Sequence, residues 1–189
     1  MKNTSLFLDL TSKFCIIGLY DINQQLIASE IRLTNNNLTD IVNQIIFNLF
    51  EENNLSIEKN LQAIYLNNGP GSFTGLRVAS IIAKTLMITY DINLYVCDHL
   101  KLLTKHITNT LAFLDAKGDK MYAYHDQKYF IIKKNDVDKY MLNHSDLIPI
   151  VINEQTYDYQ YLLKNLPFEL FTQVKNIDEY VINYVKQPV

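Results

Sequence analysis

From Leu38 the apolar residues Leu38, Ile41, Val42, Ile45, Ile46 and Leu49 recur at the i, i+3, i+4, i+7 spacing of one helical face, which predicts an amphipathic helix over 38–52 ending near Asn53–Asn54. Upstream the rhythm is shorter. The stretch SLFLDLTSKFCIIGLY (5–20) holds two apolar runs parted by Thr11–Lys13, and LIASEIRL (26–33) follows a polar turn at Asp21–Gln25, so three strands in a meander are expected. LQAIYL (61–66) then reads as a strand, 75–90 as a helix and NLYVCD (93–98) as a strand. The order βββαβαβ predicts an α/β domain with helices packed on a mixed sheet.

Beyond residue 100 the pattern changes. His99–Asn109 reads as helical, TLAFLDA (110–116), KMYAYHD (120–126), KYFIIKK (128–134) and LIPIVI (147–152) as strands, and IDEYVINYVK (177–186) as a terminal helix. Two domains are therefore expected: an N-terminal α/β domain over 1–100 and a smaller C-terminal one over 101–189. Neither a repeat of fixed period nor a low-complexity linker marks the join.

Composition narrows the function. At 189 residues and 48% hydrophobic the chain can bury a substantial core, and a formal net charge of −3 gives it no electrostatic reason of its own to seek nucleic acid or an anionic membrane. Cys15 and Cys97 lack CxxC spacing and are expected reduced and buried. The opening run breaks at Asp9 before a signal-peptide core forms, and no segment reaches about 18 uninterrupted apolar residues, so a cytoplasmic location without membrane contact is expected.

The densest punctuation is NNGPGSFTGLR (67–77), which holds three of the five glycines. After a strand, Gly69-Pro70-Gly71 can make a sharp reversal, Ser72 or Thr74 can cap the next helix, and Gly75 permits close backbone approach. A helix N-terminus so placed favours anions, but a Gly/Pro-rich turn is more often only a turn. It is not a Walker loop, since Leu76 follows Gly75, and the glycine spacing does not fit GxGxxG. The following helix carries only Arg77 and Lys84 as charges, on one stripe with Ser80, while Gly75, Ala79 and Ala83 form a ridge without bulk. Ile82 and Leu86 are assigned to the chain's own sheet, and Ser80, Ala83 and Met87 to a partner.

GPGSFTGLR (Gly69, Pro70, Gly71, Ser72, Phe73, Thr74, Gly75, Leu76, Arg77), followed by a small-residue helix with Ala83-Lys84, resembles the signature of the TsaB (YeaZ) family. That family is the dimerisation subunit of the bacterial machinery that makes N6-threonylcarbamoyladenosine on tRNA. Asp9 to Ser12 with Cys15 fall where the family has an Asp-Thr-Ser loop, and Asp115-Ala116-Lys117 with Met121-Tyr122 resembles its Asp-Ala-Arg…Val-Tyr stretch. The family's usual histidine before the first helix is replaced by Asn36 or Asn37. The resemblance implies the actin-like, Hsp70-like ATPase superfamily (RNase H-like) fold with a small, degenerate second domain. It further implies a non-catalytic scaffold that pairs with the catalytic relative TsaD, through helices 38–52 and 75–90, while the ATPase TsaE resets the complex. Interface residues are then Ile41, Ile45, Ser80, Ala83, Lys84 and Met87; tRNA is met only through the complex, and a homodimer is the arrangement to consider when TsaD is absent.

Catalysis by the chain itself is poorly supported. Asp9, Thr11 and Asp115 are candidates for vestigial phosphate loops, yet no glycine follows Gly118 to receive an adenosine, so no cofactor of its own is expected and ATP or ADP is considered only at the interface of the complex. His99 and His106, seven apart, have no HExxH partner, and with His125 and His144 they read as surface residues; no metal set emerges. Ser72 lies outside a GxSxG elbow and has no designated base, so a peptidase triad is absent. The stretch Lys117–Lys134 with Tyr122, Tyr124 and Tyr129 reads as a solvated strand face sooner than an RNA contact. Two other readings stay open: an autonomous nucleotide-binding protein of the same superfamily, and a homodimeric binding module.

Overall fold

A computed structural model describes residues 3–34, 37–104, 107 and 109–185. Asn36 and His106 lie outside the described residues. Strands β1 (Thr4–Asp9), β2 (Phe14–Tyr20) and β3 (Leu26–Leu33) form the expected meander. Helix α1 (Leu38–Glu52) follows, then a short helix α2 (Ile57–Asn60), β4 (Leu61–Asn67), α3 (Phe73–Tyr90) and β5 (Asn93–Cys97). In the first sheet β1 pairs antiparallel with β2 and parallel with β4, and β4 pairs parallel with β5.

Helix α4 (His99–Leu103) is shorter than expected. It leads to β6 (Thr110–Asp115), β7 (Lys120–His125), β8 (Lys128–Lys133), helix α5 (Val137–Leu142) and β9 (Ile148–Ile152). The second sheet, in the order β8-β7-β6-β9, repeats the topology of the first: an antiparallel meander, a helix, and a strand parallel to the first of the meander. Asp9 and Asp115 end the equivalent strands β1 and β6.

Strand β1 is buried on both faces because its alternate side chains feed two cores. Leu6, Leu8 and Leu10 join Ile45, Ile46, Ala79 and Ala83 under helices α1 and α3, whereas Phe7 joins Leu100, Leu114, Tyr122 and Leu163 from the second half. Helix α6 (Tyr159–Lys164) closes this second core, with the Tyr20 hydroxyl donating to the Leu163 carbonyl at 2.8 Å.

The end of the chain departs from the expected division at residue 100. Strand β10 (Thr172–Gln173) returns to the first sheet and pairs antiparallel with β5. The terminal helix expected over 177–186 is instead a single 3-10 turn at Ile177–Glu179, after which the backbone turns extended at Tyr180. Besides two local backbone bonds, it is anchored from outside: Asn183 N–H donates to the Asn68 carbonyl, and Ile177 and Tyr180 pack on the first core with Val174 just ahead of them. Among the described residues no helix is long and apolar enough to cross a membrane.

Candidate functional site

The loop after β4 is built against the β1–β2 turn. A methyl group on Gly75 would collide with the Leu10 carbonyl, and one on Gly71 with the Thr11 backbone, so both positions require glycine for close backbone approach. Gly69 sits at φ +96, and a side chain there would meet the Asn183 carbonyl. Ser72 N–H donates to the Thr11 carbonyl at 2.6 Å. Ser72, not Thr74, caps α3: its Oγ accepts from Gly75 N–H at 3.2 Å, and α3 begins at Phe73, two residues before the expected start. The glycines therefore seat one backbone turn upon another.

Beneath the loop lies a buried polar network. Asp9 is fully buried; its Oδ1 accepts from the Thr11 N–H at 2.9 Å and the Thr11 hydroxyl at 2.7 Å, and its Oδ2 accepts from Asn67 Nδ2 at 2.7 Å. Because the one hydroxyl hydrogen of Thr11 goes to Asp9, His99 Nδ1 carries a proton and donates to Thr11 Oγ1 at 2.9 Å and to the Pro70 carbonyl at 3.1 Å. His99 N–H donates to the Gly69 carbonyl at 2.6 Å. The expectation of a surface histidine is thus corrected: His99 is fully buried, with Nε2 lacking a described protein partner. With Nδ1 engaged by Thr11 and Pro70, Nε2 is the ring nitrogen that faces away from them.

The topological counterpart of Asp9 is different in kind. Asp115 is exposed, and although partial burial works against it, Lys134 at 3.1 Å and the Lys117 N–H hold its carboxyl below the usual range. Asp9 spends three acceptor sites on Thr11 and Asn67 and Thr11 donates inward to it, whereas Asp115 is held by Lys134, so the three suggested phosphate-loop residues are each engaged by groups of the chain itself. Among the described residues no three His, Cys, Asp or Glu side chains gather into a metal-binding set. Cys15 and Cys97 are buried free thiols, each pushed by burial up to about 12. Tyr122 is in the second core, and Tyr124 and Tyr129 tilt against each other at 4.7 Å, so these rings are packing rather than a solvated face.

A C-terminal strap covers the loop's other side. Tyr180 Oη donates to Asn68 Oδ1 at 2.9 Å, and Asn68 Nδ2 donates to the Val181 carbonyl at 3.1 Å. The Tyr184 ring meets Phe73 at 5.4 Å, its hydroxyl accepts from Arg77 Nε at 3.4 Å, and Lys84 Nζ lies 5.2 Å from the Tyr180 ring. Asp98, beside the strap, is pushed above the ordinary carboxylate range by burial, with hydrogen bonds from Asn183 and Asn68 pulling the other way. Neither His99 nor the strap was legible as part of the site; the only sequence signal for the anchor is the Asn67-Asn68 pair ahead of the glycines.

The expected partner-facing residues are mostly turned inward. Ser80, Ala83 and Ile45 are buried by this chain, while Ile41 and Met87 pack at the edge of the first core. The physical reason is the small-residue ridge itself, which lets α3 lie close on its own sheet. Ile82 and Leu86 pack against the same core, as assigned. The outward face of α3 is Thr74, Arg77, Ile81, Thr85, Ile88 and Thr89, with Ile81 65% and Ile88 72% exposed, and α1 adds Phe47 at 58%.

Comparisons with known proteins place this geometry. The model of the family described as TsaD, tRNA N6-adenosine threonylcarbamoyltransferase, matches residues 25–176. An uncharacterized protein of Mycoplasma pneumoniae is 27% identical over 192 residues, covering 97% of this chain and 95% of the relative. Another, from Mycoplasma genitalium, is 30% identical over 91 residues, 48% of this chain and 46% of its own. Of solved structures, an uncharacterized protein with similarity to the peptidase YeaZ from Pseudomonas aeruginosa superposes with a TM-score of 0.71 at 14% identity, covering 98% of this chain and 100% of that one. YeaZ from Pseudomonas aeruginosa gives 0.55 at 19% identity, over 71% of this chain and 65% of its own. The fold is the actin-like, RNase H-like one of YeaZ. With most of its length matched by the family model, the chain belongs to the tRNA N6-adenosine threonylcarbamoyltransferase (TsaD) family and has the fold of the YeaZ (TsaB) branch.

Proposed function

We propose that the chain is a non-catalytic scaffold subunit that docks TsaD through α1 and α3 and supports it in forming N6-threonylcarbamoyladenosine beside the anticodon of ANN-reading tRNAs. The observation that carries this reading is the exposed apolar face of α1 and α3, beside a family loop whose own polar atoms are largely engaged within the fold. Asp9, Thr11, Asn67 and Ser72 use their polar atoms on one another and on backbone, which supports a structural role for the family loop. Ile81, Ile88 and Phe47 meanwhile stand exposed on the two helices, the kind of bulky apolar side chain that a partner's surface buries. TsaD performs the chemistry in this scheme, TsaE joins the larger cytoplasmic complex, tRNA is reached only through that complex, and any ATP or ADP belongs to its interface.

Titration of the chain with TsaD from the same cell tests the proposal. Stoichiometric association that Ile81→Asp weakens, together with tRNA modification that requires both subunits, is the expected result. Modification by TsaD alone at the full rate, or tight binding of ATP and magnesium by the isolated chain, sinks it.

A further inference from the structure

Gly69 and Pro70 are buried between the end of β4 and the start of α3, where their carbonyls need donors from elsewhere in the chain. One residue serves both. The His99 N–H donates to the Gly69 carbonyl at 2.6 Å, and the ring Nδ1–H to the Pro70 carbonyl at 3.1 Å. The same Nδ1 reaches Thr11 Oγ1 at 2.9 Å, while the Thr11 carbonyl accepts from the N–H of Ser72, the residue that caps α3. The side chain thus joins the β1–β2 turn and the family loop at the point where the helix starts. His99 also opens α4, whose Leu100 and Leu102 are buried in the second core. The ring itself is fully buried, so no substrate touches it.

We infer that His99 is a positioning residue for docking: its Nδ1 proton pins the family loop, and through it the first turn of α3, to α4. Thr74 and Arg77, exposed on that turn, are thereby presented to the partner beside Ile81. The inference rests on the docking proposed above and adds a residue that acts without meeting the partner. Its reach is local. Further along α3, Ala79 and Ala83 seat the helix on the sheet, so only the stretch Phe73–Arg77 depends on the loop for its place. The chemistry required is one donor at one position: asparagine can put an amide N–H where Nδ1 stands, glutamine puts it where Nε2 stands, and leucine has none.

The test uses the full chain and TsaD from the same cell. Nitrogen NMR of the wild-type chain is expected to show His99 protonated at Nδ1, and a proton on Nε2 alone overturns the inference. Affinity for TsaD is then measured at a temperature where melting curves show every variant folded. His99→Asn is expected to bind within about twofold of wild type, and His99→Gln and His99→Leu about three- to tenfold more weakly, the span of one hydrogen bond's net worth. In the two weaker variants amide exchange should accelerate over Phe73–Arg77 and hold in β1 and the last turn of α3. A merely structural histidine would lower melting and leave the affinity of the folded chains alone. That result, with Ile81→Asp still weakening association, overturns the positioning role and leaves docking standing, as does equal affinity of the Asn and Gln variants. If His99→Gln and His99→Leu do not fold, Thr11→Ala replaces them, since it takes the acceptor away from the ring; weakened binding supports the inference and wild-type affinity overturns it. If wild type does not bind TsaD at all, docking and positioning both fall.

Discussion

A single carbonyl oxygen decides what residue 75 must be. The Leu10 carbonyl occupies the space where a side chain at Gly75 would begin, and it belongs to a turn whose neighbours Asp9 and Thr11 are locked by three hydrogen bonds. Alanine is favoured over glycine inside helices by about 1 kcal/mol, so propensity alone would make Gly75→Ala stabilising. Overpacking against a backbone that cannot yield costs about 1–3 kcal/mol, and steric cost wins here. Denaturant melts of Gly75→Ala are expected to show net destabilisation; a gain in stability would refute the close approach. Ser72→Ala removes a cap and is expected to cost about 1 kcal/mol while TsaD binding and tRNA modification persist. Loss of modification at unchanged stability would instead assign the hydroxyl a chemical task. At this scale the glycine spacing and the capping residue were readable, because both follow from local backbone demands. His99 was not, since a lone histidine carries no mark of the hydroxyl and carbonyl that a turn 29 residues away and another 88 residues away present to it.

Helix α3 shows how far periodicity reaches. Its existence and end followed from the apolar pattern, and Ile82 and Leu86 do pack inward, yet the direction assigned to Ala83 was reversed. Small residues are compatible with close packing against anything, so a ridge of Gly75, Ala79 and Ala83 cannot tell a partner helix from the chain's own sheet. The exposed isoleucines could, because a large apolar side chain left in water is informative only once the fold shows what remains uncovered. Ala83→Trp is accordingly expected to destabilise the isolated chain by about 1–3 kcal/mol, seen as an earlier melt. Ile88→Asp is expected to leave melting unchanged and weaken TsaD association by roughly ten- to a hundredfold, equivalent to about 1.4–2.8 kcal/mol. The opposite pattern, a stable Ala83→Trp that fails to bind, would restore the ridge to the interface.

At the scale of the molecule, two halves of like topology share a core, and the chain's end stitches them. The strand order of the first half was legible from alternation and helix period. The second half's strands were too, but their equivalence to the first was not, because topology is repeated here without any repeat of sequence at fixed period. Least legible was the strap, whose extended backbone is held by distant groups. The segment IDEYVINYVK has helical spacing, but Asn68 offers Tyr180, Val181 and Asn183 hydrogen bonds that a helix would forgo, and Tyr180 and Tyr184 gain ring contacts with Lys84 and Phe73. Asn68→Ala removes the side-chain bonds to Tyr180, Val181 and Asp98 from this anchor while leaving its backbone bonds to Cys97 and Asn183. Because these bonds are only partly buried, each is worth nearer the net value of about 0.5–1.5 kcal/mol than the cost of a fully buried orphan, and global stability is expected to fall measurably. The local effect is more diagnostic: amide exchange of the strap should accelerate well beyond that of β1 and β4, since the sheet does not depend on Asn68 side-chain bonds. Equal acceleration in the strap and in β1 would mean that the strap is an integral part of the first core's cooperative unit rather than a separately held cover for the family loop.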